Sequence, residues 1–136
     1  MTLLSELPEM EAWFKDCMRS EGYRLDGSMD SIKACDAFLD AHVQDGEPDA
    51  DIAEQFGPIC LAMAFYVGNT LLRYRSGRWE PDAQAPDDEI GLMLVFDDTT
   101  VCWPCQRVMK RVSNGPEDGL YAYALGLVDP NAIRGL

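Results

Sequence analysis

The side chains of this chain whose types and spacing come nearest to a known chemistry are Cys102 and Cys105, in Cys102-Trp-Pro-Cys105. A C-x-x-C placed after an apolar strand and before a helix suits thiol–disulfide exchange. The helix N-terminus stabilises the first thiolate, and the second cysteine, one turn later, resolves the mixed disulfide. The surrounding LMLVFDDTTVCWPCQRVMKRV fits that local pattern. A thioredoxin fold also needs two more strands, a cis-proline loop and a final helix beyond the motif, whereas the 31 residues after Cys105 read as helix and neither Pro116 nor Pro130 precedes a strand. The simpler reading is two small apolar groups at a strand-to-helix junction; a small thiol-redox enzyme using Cys102 and Cys105 stands as the alternative function.

Oxygen ligands alternate in Asp45-Gly-Glu47-Pro-Asp49-Ala-Asp51 as they do at the start of an EF-hand loop. The sixth position is Ala50 instead of glycine, and the twelfth is Phe56 instead of a bidentate glutamate, so a solvated acidic loop supplying helix caps is the better reading. Zinc would need a second Cys/His pair, and none follows Cys102/Cys105. His42 is the only histidine. At the end of a helix it reads as a C-terminal cation or core-edge residue, which leaves no nucleophile system unless it joins one from far away in sequence. The 24 acids offer many carboxylate pairs, but none stands in an apolar setting that would tune its pKa. These residues predict no metal, no cofactor and no enzymatic activity.

Charge points elsewhere. Eleven basic against 24 acidic side chains leave a formal net charge of −13 and a pI near 4.2. That field repels phosphate backbones and anionic membranes, which argues against nucleic-acid and membrane partners and favours a protein with a basic surface. Acidity that merely keeps a small domain soluble is the competing explanation. Asp36 to Glu54 holds seven acids and no Lys or Arg, and Glu80 to Glu89 holds five acids and no base. The predicted partner-binding residues are Asp45, Glu47, Asp49, Asp51 and Glu54 in the first segment and Asp82, Asp87, Asp88 and Glu89 in the second, joined in one electronegative face. Arg73, Arg75 and Arg78, and Arg107, Lys110 and Arg111, form two basic clusters; helix-dipole complementation and neutralisation of nearby acids explain them better than an anion site does.

Positioning these groups requires a mostly helical scaffold. Met10, Trp13, Phe14, Cys17 and Met18 recur at i, i+3, i+4, i+7, i+8, predicting a helix opened by Pro8 and closed near Gly22. Ser28 is placed to cap a second helix with Ile32, Cys35, Phe38, Leu39 and Val43 on one face, ending around Gln44. DGEPDA reads as a loop, and Asp51-Ile-Ala-Glu54 has the form of a capping box before a short helical turn. The third helix, Pro58 to about Tyr74, is apolar on nearly every face and should be central. After a polar, proline-containing loop, Ile90–Phe96 and Thr99–Trp103 predict a hairpin about Asp97-Asp98. Pro104 opens a helix stopped by Asn114-Gly115, and Pro116-Glu117 open a last helix ended by Asp129-Pro130. Trp79 and Trp103 are expected as core anchors.

The whole predicts an α+β fold, a single mostly helical domain over residues 1–136 around a central apolar helix with a small antiparallel hairpin or sheet. Five cysteines, an odd number with at least three among apolar neighbours at helical spacing, suit a reducing compartment. MTLLSELPEME lacks the basic region of a secretory signal, and the longest apolar run, about 14 residues ending at Leu72, is short for a bilayer. A cytoplasmic protein, monomer or homodimer, is expected.

SMDSIKACDAFLD, AFYVGNTLLRYRSGRW and VCWPCQRVMKRVSNGPEDGLYAY together resemble a group of small, acidic bacterial proteins. In that group an S-x-x-x-L-D helix is followed by G-x-Y-x-G-E, by G-x-W, and by P-x-x-K-V-x-K-R-x-x-N-G-x-x-D-S-L. The resemblance runs from about Ser28 to Tyr123 and marks Tyr66, Gly68, Asn69, Gly77, Trp79, Pro104, Lys110 and Arg111 as its signature. This chain departs from the pattern at Ala64 for the first glycine, Asn69 for the glutamate, Arg107 for the first lysine and Gly119 for the serine. The resemblance implies a helical domain with a small sheet and no established reaction; some similar proteins are immunity-like factors encoded beside secreted toxins. A protein-binding domain of that kind, neutralising a cytoplasmic toxin through its acidic surface, is the expected function. An acidic secretion chaperone shares the size and pI but not the helix-strand-strand-strand order.

Overall fold

A computed structural model describes residues 3–131. In chain order the elements are α1 (Leu3–Ser20), α2 (Ile32–His42), β1 (Val43–Gln44), β2 (Glu47–Pro48), α3 (Phe56–Leu72), β3 (Gly77–Glu80), β4 (Met93–Phe96), β5 (Val101–Cys102), α4 (Pro104–Asn114) and α5 (Leu120–Leu127). Single 3-10 turns at Met29–Ser31, Ala53–Gln55 and Gly115–Asp118 lead into α2, α3 and α5. The fold is α+β, as the residue patterns predict.

Helix α3 is the central element because it has no polar face to give to water: twelve of its 17 residues are buried. Helices α1, α4 and α5 pack on it, while α2 packs on α5. Burying side chains such as Met63, Phe65, Tyr66 and Leu71, at about 1.5–3 kcal/mol each, is the main force holding this layer. With its 3-10 lead-in, the helical stretch Ala53–Leu72 spans 20 residues at a mean hydropathy of 1.2, longer than the expected run and sufficient by length and composition to cross a membrane. Of its most apolar 18 residues, 67% are buried inside the protein itself.

Sequence and structure part company at several ends. Helix α1 starts at Leu3 and carries Pro8 inside it. Proline there forfeits a hydrogen bond at roughly 3 kcal/mol, which the burial of Leu3 and Leu7 on the Phe14–Met18 face offsets. Helix α2 stops at His42 because Asp45 and Gly46, at φ of 53° and 80°, make a two-residue turn that pairs Val43 with Pro48 and Gln44 with Glu47. Asp-Gly is the residue pair such primed turns require, so the expected loop is a hairpin. The capping box does not form either. Ile52 occupies the cap position, and Asp51 donates its amide to Asp49 Oδ1 instead.

The second sheet has three antiparallel strands in the order β3-β4-β5, one more than the expected hairpin. Strand β3 contains the Gly77-Arg78-Trp79 run; a Cβ on Gly77 would lie 2.6 Å from the Val95 carbonyl oxygen, so only glycine allows this close pairing with β4. Strand β4 begins at Met93, not Ile90, because Asp88 and Glu89 draw residues 90–92 into a turn. Trp103 is 41% exposed and no core anchor. Its neighbour Cys102 takes the inward position at the end of β5, and strand alternation turns Trp103 outward.

Candidate functional site

Of the eight signature residues, Gly68, Asn69 and Trp79 meet at one junction of α3 and β3, with Tyr66 one turn away, while Pro104, Lys110 and Arg111 lie on α4. Trp79 packs edge-on against Phe65 with ring centroids 5.7 Å apart, and its ring also covers Gly68. Its indole N–H donates to Asn69 Oδ1 at 2.8 Å, and Asn69 Nδ2 donates to Glu11 Oε2 at 2.5 Å. Asn69 thus links α1, α3 and β3 with both ends of its amide, a position in which a glutamate would face Glu11. Tyr66, one turn earlier, anchors the loop before α2: its hydroxyl accepts from the Gly27 amide at 2.9 Å and bonds Ser31 Oγ at 2.5 Å.

Arg111 is 3% exposed and is paired through Nε and Nη2. Nε donates to Asp36 Oδ1 at 2.9 Å, and Nη2 donates to Asp40 Oδ1 at 2.6 Å and to the Asp36 carbonyl at 3.2 Å. The Asp36 carboxylate also accepts the amides of Leu120 and Tyr121 at 2.9 and 3.0 Å, capping α5, which has no side-chain cap of its own. Two acids of the Asp36–Glu54 run are therefore structural. The other arginines behave similarly: Arg75 bonds Asp98 and the Leu127 carbonyl and lies over Phe96, while Arg107 pairs with Asp118 and lies over Tyr123. These pairings match the expected neutralisation of nearby acids; the helix-dipole part does not hold for them, since Arg75 lies beyond α3 and Arg107 is in the first turn of α4. Lys110 is exposed on the outer side of α4.

A hollow of about 730 Å³ opens between the β1–β2 hairpin and the C-terminal end of α4, and His42, Asp49 and Ser113 are among its lining residues. His42 Nδ1 bonds Asp49 Oδ2 at 2.8 Å and Nε2 bonds Glu21 Oε1 at 2.5 Å. Burial alone would lower the pKa of the imidazole, but the two carboxylates outweigh it and hold the pKa above its ordinary value. With both ring nitrogens bonded to carboxylates, His42 clamps the end of α1 to the hairpin and has no ring nitrogen left to activate a hydroxyl. Ligand atoms of His42, Asp49 and Asp51 lie within 4.8 Å of one another, so these three could hold a divalent ion only after the histidine gives up its proton. The EF-hand-like alternation has no structural counterpart, since residues 45–48 form the hairpin.

The predicted binding acids do not merge into one patch. Asp45 and Glu47 sit on the hairpin beside the C-terminal end of α4, whereas Glu89 lies beside Cys105 near its N-terminal end. The two are separated by most of an 11-residue helix, roughly 15 Å. Asp51 and Glu54 are exposed on the lead-in to α3, and Asp87, Asp88 and Glu89 are exposed on the loop before β4. Asp49 and Asp82 are half-buried instead: Asp49 holds His42, and Asp82 Oδ1 accepts the Gln84 amide at 2.9 Å beneath Gly91. Sequence reasoning missed the apolar groove beside Glu89, walled by Phe56, Cys60, Ile90, Cys105 and Met109. Its signal was an isoleucine directly after three acids, which reads equally well as the start of a strand.

Cys102 and Cys105 lie at the start of α4 but are 5% exposed each. Burial pushes the Cys102 thiol up, against weaker opposing effects of its bond with Tyr123 and the charge of Arg75. Cys105 is pushed up to about 12 by burial and then by Glu89. This is the reverse of the thiolate-stabilising environment that disulfide exchange uses. All five cysteines are free thiols, four of them buried. No protein-family model, no curated protein and no solved structure matches this chain.

Proposed function

We propose that this protein is a non-enzymatic binding domain that presents carboxylates to a basic protein partner. The resemblance to small acidic bacterial proteins favours an immunity-type inhibitor of a cytoplasmic toxin. One observation carries the reading. Among the described residues Asp45, Glu47, Asp51, Glu54, Asp87, Asp88 and Glu89 are all exposed and none has an ion-pair partner, while the buried cation Arg111 is matched by Asp36 and Asp40. The surplus negative charge is therefore left on the outside, at segments held by a hairpin and by hydrogen-bonded turns. Charge arranged in this way accelerates encounter and selects the partner more than it adds affinity.

The test is capture of the partner from the native cell, followed by association kinetics at low and high salt. A Glu47→Lys, Glu54→Lys, Asp87→Lys, Glu89→Lys variant should associate about tenfold more slowly or worse, and raised salt should slow the wild type toward it. Equal rates for both proteins at all ionic strengths would remove the proposal.

A further inference from the structure

The groove beside Glu89 sharpens that reading and rests on it. Its volume is about 250 Å³, and it is bounded by the first turns of α3, the turn before β4 and the inner side of α4. Two of its walls are apolar side chains left in water: Ile90 is 45% exposed and Met109 43%. Ile90 is firmly placed. Its amide donates to Asp88 Oδ1 at 3.0 Å, its carbonyl accepts from Gln106 Nε2 at 3.0 Å, and the turn is closed by Gly91 N–H to the Asp88 carbonyl and Leu92 N–H to the Glu89 carbonyl. An apolar group fixed outward by its own backbone bonds is preorganised for contact, so little ordering entropy opposes binding there.

Charge decides the occupant. Glu89 lines the groove, and Asp88 and Glu89 are near enough to act on the Cys105 thiol in its wall. Asp87 is exposed beside them, and Glu54 stands two residues before Phe56 on the other side. Among the described residues no Lys or Arg lines the groove; Arg107 and Lys110 line a separate hollow with Trp103 and Tyr123. A second copy of the chain would bring its own charge of −13 to an acidic rim and meet repulsion. An apolar slot rimmed by carboxylates is complementary to a helix or extended segment carrying an apolar side chain between lysines or arginines.

We propose that the groove between Phe56, Ile90 and Met109 docks a basic amphipathic segment of a partner protein, its apolar residue between Ile90 and Met109 and its cations beside Glu54, Asp87, Asp88 and Glu89.

The probe is a fluorescent synthetic peptide of about 16 residues with Leu on one helical face and Lys on the other, titrated into the full chain beside a counterpart in which Glu replaces Lys. The Lys peptide should bind and the Glu peptide should not. Ile90→Ser and Met109→Gln should each weaken binding about tenfold, as loss of a central anchor does, with unchanged near-ultraviolet dichroism because both side chains are exposed. Amide shifts in the wild type should centre on Phe56, Ile90 and Met109. Shifts centred on Asp45–Asp51, or affinity unchanged in both apolar variants but lost on charge reversal at Glu47, would overturn the groove while leaving the acidic-surface reading standing. Affinity insensitive to every charge reversal would remove both. Failure of the wild type to bind the Lys peptide, or a dimer that Met109→Gln dissociates, would also overturn the assignment.

Discussion

The indole ring of Trp79 closes over Gly68 so tightly that a Cβ at that turn of α3 would fall inside van der Waals contact of ring atoms Cζ2 and Cη2. Alanine is ordinarily the better helix residue by about 1 kcal/mol, but here it meets a rigid ring already packed on Phe65. Gly68→Ala should therefore destabilise by roughly 1–3 kcal/mol net, read as a lower urea midpoint with unchanged slope. Trp79→Ala in the same chain should remove most of the Gly68→Ala effect, and strict additivity of the two would show that they do not clash.

Asn69→Glu tests whether this position tolerates a carboxylate. The Trp79 N–H keeps an acceptor, but the amide that donates to Glu11 is replaced by a second negative oxygen. A loss of about 1–3 kcal/mol is expected at neutral pH, shrinking on acidification as one carboxyl takes a proton. Glu11→Gln should restore stability, and a variant as stable as the wild type in thermal denaturation would contradict the hydrogen-bond assignment.

Breaking the α2–α4–α5 junction should be far more damaging. Asp36→Ala leaves Arg111 with one carboxylate and two amides of α5 uncapped, for a loss of about 3–5 kcal/mol. Asp40→Ala, whose carboxylate is 54% exposed, should lose much less. Urea titration of both variants would check the order.

His42 makes stability pH-dependent in a definite direction. Its folded pKa lies above the unfolded value of about 6.5, so the ion-paired imidazolium contributes fully below about pH 6.5 and the contribution fades as pH rises through the folded pKa. His42→Gln should flatten the part of the stability profile that begins to fall above about pH 6.5. A wild-type profile of identical shape would show that the clamp is not charged.

The four buried thiols should be unreactive in the native protein. At pH 7.5 the buried Cys35, Cys60, Cys102 and Cys105 should resist an aromatic disulfide reagent for as long as the protein stays folded, and all five thiols should react at once in guanidinium. Insulin reduction by the native protein, or rapid selective labelling of Cys102, would restore the redox reading.

Those parts of the fold that depend on what a short window must bury were legible from residue pattern. The all-apolar run around Phe65, the Pro104 start of α4 and the Gly115 stop, at φ of 82°, each follow from local chemistry. Strand β3 was not, because Gly77-Arg78-Trp79-Glu80 becomes a strand only by pairing with Met93–Phe96, which its own composition does not announce. Helix α1 misled for a related reason: Pro8 is a fair starting residue until Leu3 and Leu7 find a core to enter. The candidate surface was half legible. Runs of acids mark where carboxylates crowd in sequence, but only the folded chain shows that Asp36, Asp40, Asp49 and Asp82 turn to arginine, histidine or backbone. The groove at Ile90 and Met109 depends on residues from three elements and has no linear signature.

Asp36 joins Arg111, 75 positions away, and the Leu120 and Tyr121 amides, 84 and 85 positions away. During synthesis that aspartate therefore stays hydrated and unengaged until Arg111 has emerged, and it caps α5 only once Leu120 and Tyr121 follow. Loop closure over such separations is slow and entropically opposed, so a nascent chain halted before Leu120 would lack Leu120, Ala124 and Val128 from its core, and the flanks of α2 and α3 that α5 covers would be open to chaperones and proteases.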